Sequence, residues 1–225
     1  MQFTRAVIAA LEPLANPALQ PWMRAYMKDR FEFLGIKIPA RRAAIAGLIR
    51  RQKSAPASDL LRCARALWAL PEREYQYVAV DLLTRFGRQL KPAHIPDLFA
   101  LVRRKSWWDT VDALAAVISS ILRMACSADP HVQSMMDEAL GSSNLWVRRV
   151  AIIHQLGWRA QTDSRRLFAY ASAYAHEKDF FIRKAIGWAL RDYARYAPDE
   201  VREFLRTNRV RLSALTLREA GKHIL

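Results

Sequence analysis

The sequence predicts an all-α protein, and three features carry that expectation. Only seven glycines occur in 225 residues. Apolar residues recur at three- and four-residue intervals, as in ALAAVISSILRMA (113–125) and FIRKAIGWALRDYA (181–194), which is the period of a helix buried on one face. No stretch shows a convincing strand alternation that would compete with this reading.

Taken in order, the helical segments are separated by short boundary signals. The amino-terminal MQFTRAVIAALEPLANP is apolar but too short and too soon interrupted for a secretory signal. Breaks follow at KSAPASDL (53–60), LPE (70–72), KPAHIPD (91–97), SADPH (127–131), GSSN (141–144) and APDE (197–200). Each holds proline, glycine or a side chain that caps a helix. No run of eighteen apolar residues appears, so a membrane span is not expected.

A repeat emerges when QYVAVDLL, WWDTVDALA, LWVRRVAII and FFIRKAIGW are aligned on an aromatic that opens a helix. Tyr77, Trp108, Trp146 and Phe181 then fall in equivalent places, 31, 38 and 35 residues apart by subtraction. These periods are those of two-helix solenoid repeats of the HEAT and armadillo kinds. The expectation is therefore an all-α, HEAT-like helical-repeat solenoid with a concave surface, formed as one domain over residues 1–225. The second helix of each repeat would line the concavity, bringing Trp108, Asp112, Arg148, Arg149, Arg183 and Lys184 to a basic surface interrupted by aromatics.

Charge points to the partner. Lysine and arginine number 36 against 21 acids, a formal net charge of +15, and arginine dominates the excess. That favours a polyanion bound through planar guanidinium forks. Cys63 and Cys126 lie far apart with no C-x-x-C spacing, which fits a reducing cytosol. His94, His131, His154, His176 and His223 form no pair at metal-ligand spacing, and neither a phosphate-binding glycine loop nor a G-x-S-x-G elbow is present. No metal or organic cofactor is expected.

Structural roles account for many conspicuous residues. Tryptophans such as Trp22, Trp68 and Trp158 are expected as core anchors, and Trp146 has its repeat position. RRKS (103–106) and LRDYAR (190–195), taken singly, read as solvated faces. Within KSWWDTVD (105–112), Ser106 and Asp109 have the spacing of a capping box, and Trp107 is expected to face the core. Asp112 lies outside the box, one turn after Trp108 on the same helix face.

A carboxylate on a surface that meets phosphates needs a positive counterpart. One reading, the commoner from spacing alone, is a salt bridge to an arginine of a neighbouring repeat. The other is a cationic part of the ligand. Alkylation of a purine ring nitrogen makes the base cationic, and cleaving its glycosidic bond develops oxocarbenium character on the deoxyribose. A carboxylate near C1′ would stabilise that charge and assist water. Indole faces would favour the same cation by about 0.5–2 kcal/mol.

The sequence also resembles a known family along nearly its whole length. YMKDRFEFLGIKIPARR (26–42), LPEREYQYVAVDLL (70–83), KSWWDTVD (105–112), SNLWVRRVAII (143–153), EKDFFIRKAIGWALRDYA (177–194) and LSALTLREAGKHI (212–224) are similar, in order, to blocks of the AlkD-type DNA glycosylases. That resemblance implies a HEAT-like-repeat enzyme that removes N3- and N7-alkylated purines from double-stranded DNA. It implies that Asp112, Trp108 and Trp188 form the catalytic cluster. It also implies an arginine of the LWVRR block, Arg149 by alignment with Arg148 left open, and Tyr26 at the border of the site. Arg183, Lys184 and Arg191 complete the phosphate-binding set.

The resemblance further implies a monofunctional glycosylase, without a lyase step, that leaves the lesion stacked or exposed instead of flipping it into a deep pocket. A monomer in a bacterial-type cytoplasm, associated with the nucleoid through DNA, is the expected setting. The alternatives are a non-catalytic DNA- or RNA-binding repeat protein, and a protein-interaction scaffold that the charge disfavours.

Overall fold

A computed structural model describes residues 2–126, 128–222 and 224, leaving Ser127 of the SADPH break and His223 outside the described residues. The described residues form α-helices joined by short turns and 3-10 segments, with a single isolated bridge between Glu32 and Glu72 in place of any sheet. The all-α expectation holds. No helix of the described residues is long and apolar enough to cross a membrane.

The chain divides into two compact units, Met1–Asp97 and Leu98–Leu225. The first contains α1 (Gln2–Leu11), α2 (Gln20–Tyr26), α3 (Ile38–Arg50), α4 (Ala57–Ala69) and α5 (Arg73–Arg85). Here α1 packs on α3 and α4, while α5 packs on both α3 and α4. Val7, Leu11, Ile45, Leu60, Leu67, Trp68, Leu82 and Leu83 close the core between them.

The segment before α3 is held by side-chain chemistry instead of regular structure. The buried Glu74 carboxylate accepts the amides of Leu34, Gly35 and Ile36 at 3.0, 2.9 and 3.0 Å. Those amides would otherwise be unsatisfied, so Glu74 replaces a ladder that the chain does not form. Gly35 is required by space and by backbone: its φ is +83°, and a Cβ would stand 2.2 Å from the Asn16 carbonyl oxygen.

After α6 (Ile95–Val102), the helices α7 (Trp108–Ala125), α9 (Leu145–Ile153), α11 (Phe180–Ala194) and α13 (Ala214–Gly221) of the second unit pack in succession. Between them in sequence lie α8 (Ser134–Leu140), α10 (Ser164–Ala173) and α12 (Pro198–Thr207), which contact α9, α11 and α11 respectively. Every second helix therefore stacks on its counterpart, a helical-repeat arrangement within this unit. Side-chain caps mark several starts: Asn144 accepts the amides of Trp146 and Val147, Asp163 that of Arg166, Asp179 those of Phe181 and Ile182, and Ser213 that of Thr216.

The aromatic register needs one adjustment. Trp108, Trp146 and Phe181 do sit in the first or second position of their helices, but Tyr77 lies a turn inside α5, which starts at Arg73 directly after the Leu70–Pro71–Glu72 break. The capping box is also absent. Ser106 Oγ donates instead to the Val102 carbonyl oxygen at 2.6 Å, and Trp107 holds the cap position in extended conformation. Lys105, in the left-handed region at φ 49°, turns the chain just before Ser106, and no side chain caps α7.

Trp68 and Trp158 are core residues, as expected, and Trp158 Nε1 donates to Ser119 Oγ at 2.7 Å. Trp22 is not: it is 67% exposed and stacks on Tyr26 with ring centroids 6.0 Å apart. The helix α2 that carries it buries no residue, so no core is available to receive the indole.

Candidate active site

Trp107 and Trp108 diverge because one precedes α7 and the other begins it. Trp107 joins Trp146 and Phe181 in a cluster with centroid separations of 5.6, 5.0 and 4.9 Å, tying together the starts of α7, α9 and α11. Trp108 turns to the other side. One helical turn on, Asp112 shares its face, and both line a pocket of about 400 Å³.

The remaining walls come from α9 and α11. Arg149, Phe180, Phe181, Lys184, Trp188 and Arg191 complete the lining. On α11, residues 181, 184, 188 and 191 recur at three- and four-residue steps, so one helical face supplies an aromatic, a cation, an indole and a second cation.

Asp112 and Arg149 are locked together. Arg149 Nε donates to Asp112 Oδ1 and Nη2 to Oδ2, each at 2.7 Å, while Nη1 donates to the Phe181 carbonyl oxygen at 2.6 Å. The planar guanidinium thus spans α7, α9 and the start of α11, with each of its three nitrogens donating one of these bonds. Arg149 is 4% exposed at its side chain and Asp112 18%, so the carboxylate keeps a face towards the pocket while its partner is buried. The neighbouring-repeat salt bridge and the pocket carboxylate are consequently one arrangement.

The other basic residues fall into two groups. Lys184 is exposed, with Nζ 5.7 Å from the Phe180 ring centroid, and Arg191 Nη1 meets Glu219 Oε2 at 3.1 Å. A hydrogen bond from Lys222 holds the Glu219 carboxyl below its ordinary range, with Lys184 and Arg191 reinforcing the effect. Arg148 and Arg183 do not line this pocket. Both turn to Glu177: Arg183 Nε donates to its carbonyl oxygen at 2.6 Å, and Arg148 Nη2 stands 3.7 Å from Oε2. Tyr26 lies on α2 in the first unit, 60% exposed.

Sequence reasoning missed Phe180 as part of the lining, although the Phe–Phe pair directly after the Asp179 cap was visible. It also missed a smaller hollow of about 220 Å³ further along α7, which shares Asp112 and Trp188 and is floored by Ala115, Ala116 and Ser119.

An acid clamped by a buried arginine, between indoles and beside the exposed Lys184, suits a polyanionic ligand with a locally positive centre. A family model for the DNA alkylation repair enzymes matches residues 7–224. The chain belongs to that family. Its function is thereby DNA alkylation repair, with DNA as the substrate polymer.

Among solved structures, a protein of Enterococcus faecalis described as a predicted DNA alkylation repair enzyme is 33% identical, with a TM-score of 0.86 over 93% of this chain and 96% of that one. AlkD2 from Streptococcus mutans is 20% identical, with a TM-score of 0.61 over 78% of this chain and 86% of its own. The protein smu.31 of Streptococcus mutans UA159 is likewise 20% identical, with a TM-score of 0.62 over 79% and 89% of the two chains. Both streptococcal structures share the fold. The curated proteins contain no match.

Proposed function

We propose that this DNA alkylation repair enzyme is a monofunctional DNA glycosylase that hydrolyses the N-glycosidic bond of cationic N3- and N7-alkylated purines in duplex DNA. The observation that carries the reading is the Asp112 carboxylate, fixed by two 2.7 Å bonds from Arg149 in a pocket walled by Trp108 and Trp188. The family match runs through both compact units, which supports residues 1–225 acting as one functional domain.

As the glycosidic bond breaks, its electron pair leaves with the base and neutralises the alkylpurine cation. Positive charge then develops on the deoxyribose around C1′ and O4′. Asp112 stabilises that charge and orients the water whose oxygen adds to C1′; the water's proton passes to the carboxylate and on to solvent. Arg149 acts through Asp112, holding it at a fixed orientation before the reaction starts. The indoles of Trp108 and Trp188 pack against the sugar and favour the cationic lesion.

Tyr26, Lys184 and Arg191, with Arg148 and Arg183 around Glu177, contact the backbone. The lesion stays in the duplex or exposed to solvent, so bulky adducts are accepted. No lysine forms a Schiff base, and strand cleavage does not follow. The enzyme works as a cytoplasmic monomer without metal or cofactor.

Release of free base from a duplex carrying N7-methylguanine tests this. The intact protein should exceed the spontaneous rate, and Asp112→Asn should be slower by about 100-fold, the usual scale for losing one preorganised electrostatic group. Base release at the spontaneous rate by the intact protein sinks the glycosylase reading. An Asp112→Asn variant as fast as the parent removes only the role given to Asp112.

A further inference from the structure

The first unit contains a second acid–arginine arrangement, related to the one in the pocket. Tyr77 and Asp81 of α5 are four residues apart, as Trp108 and Asp112 of α7 are, although the first pair lies a turn deeper in its helix. The Asp81 side chain is 18% exposed, the same as that of Asp112. It too meets a buried arginine: Arg41 Nη2 is 3.1 Å from Asp81 Oδ2, and Arg41 is 5% exposed at its side chain.

What surrounds the two acids differs. A hollow of about 310 Å³ opens beside Asp81, lined by Arg42, Arg50 and Arg85 over a floor of Ile45, Ala46 and Ile49. No aromatic ring contributes to it, so neither a base nor a sugar has a face to stack on. Three guanidiniums stand against one carboxylate. Arg42 is tied to Asp81 Oδ1 at 3.3 Å, but Arg50 and Arg85 are exposed and have no ion-pair partner among the described residues.

Two unpaired arginines on α3 and α5 form a cleft for an anion that offers more than one charged oxygen, and the two non-bridging oxygens of a phosphodiester supply them. The apolar floor limits competition from water. We propose that this hollow is a second nucleic-acid contact, in which Arg50 and Arg85, with Arg42 positioned by Asp81, hold a backbone phosphate of duplex DNA without taking part in bond cleavage. This rests on duplex DNA being the substrate of the proposed glycosylase. The Asp81 carboxylate has no chemical role here; it orients Arg41 and Arg42.

The test is the salt dependence of binding to an undamaged duplex, comparing the full chain with an Arg50→Ala/Arg85→Ala double variant. Both side chains are exposed, so the fold should tolerate their loss. Affinity at moderate salt should fall by about 10-fold or more. The slope of log affinity against log salt should shrink by about one, since each phosphate contact contributes about 0.9. An Arg50→Lys/Arg85→Lys variant, which keeps both charges, should recover most of the slope.

A double variant with the parent's affinity and slope overturns the proposal and leaves the glycosylase reading standing. Binding of inorganic phosphate that is lost in the double variant, with duplex affinity unchanged, overturns it in favour of a free-anion site. If the parent binds duplex and the double variant loses affinity, but no alkylated base is released, the contact stands and the glycosylase reading falls. A parent chain that does not bind duplex overturns both.

Discussion

Asp81 and Asp112 are equally shielded, each follows an aromatic by one helical turn, and each is paired with a buried arginine, yet only the second lies in an aromatic-walled pocket. The difference begins with where the arginine comes from. Arg149 reaches back to Asp112 from the following helix of the stack and continues to the Phe181 carbonyl, so it binds three helices at once. Arg41 reaches forward to Asp81 from the preceding helix, shares it with Arg42, and leaves its own Nε buried without a partner. A carboxylate under an arginine thus joins helices in both units, and what sets the Asp112 copy apart is the wall of Trp108, Phe180, Phe181 and Trp188 around it.

Removing the two buried arginines should show the largest contrast. Arg149→Ala leaves Asp112 without its counter-charge and frees the Phe181 carbonyl, a change expected to cost about 3 kcal/mol or more. Arg41→Ala leaves Asp81 still facing Arg42 and should cost about 1–2 kcal/mol. Urea midpoints of the two variants measure the difference. Equal losses would mean that the third bond of Arg149 contributes nothing and that the two arrangements are energetically alike.

Acid should separate the units next. His154, fully buried in the second unit, donates from Nδ1 to the Ala151 carbonyl oxygen and faces the side-chain amide of Gln133 with Nε2, and burial pushes its pKa down from the ordinary 6.5 to about 4. Between those values the unfolded chain binds the proton and the folded chain does not. Stability therefore falls as pH drops from about 6.5 to about 4 and then levels, by up to about 3 kcal/mol from this group. The only histidine of residues 1–97 is the part-exposed His94. Hydrogen exchange corrected for intrinsic rate should show α9 and α10 losing protection over that range before α4 and α5, and His154→Gln should remove the effect. Simultaneous loss in both units would show that another group governs acid sensitivity.

How much of this was legible in the sequence depended on whether the cause was local. Helix limits followed the Asn144 cap and the Pro198 start because a cap acts within three residues. Trp108 and Asp112 could be placed on one face because they are one turn apart. Ser106 was misread because its hydroxyl has an equally local competitor, the Val102 carbonyl behind it, which periodicity does not weigh. The choice between Arg148 and Arg149 was open because adjacent helical residues differ by about 100° in direction, and only the packing of α9 against both α7 and α11 decides which one turns inward. The Asp81 hollow was invisible for the same reason: Arg41 and Arg42 lie about 40 residues from Asp81, at a distance no spacing rule spans.

Two mid-helix glycines give a finer test of how closely the helices approach in each unit. At Gly187, one residue before Trp188, a Cβ would stand 2.6 Å from Glu219 Cβ and 3.0 Å from the Thr216 carbonyl oxygen, so α11 and α13 touch there through backbone and a buried side chain. Gly187→Ala should therefore destabilise by about 2 kcal/mol through overpacking, despite the better helix propensity of alanine. At Gly47 in α3, the nearest atom to a Cβ is Arg51 Nη1 at 3.8 Å, an ordinary contact. Gly47→Ala should instead stabilise by about 0.5–1 kcal/mol, the propensity gain alone. Because α13 also supplies the Glu219 that holds Arg191, separating it from α11 should shift Trp188 and slow base release, while Gly47→Ala leaves release unchanged. Unfolding midpoints and single-turnover release measured on both variants decide this, and a Gly187→Ala protein as stable and as fast as the parent would show that α13 gives way without disturbing the pocket.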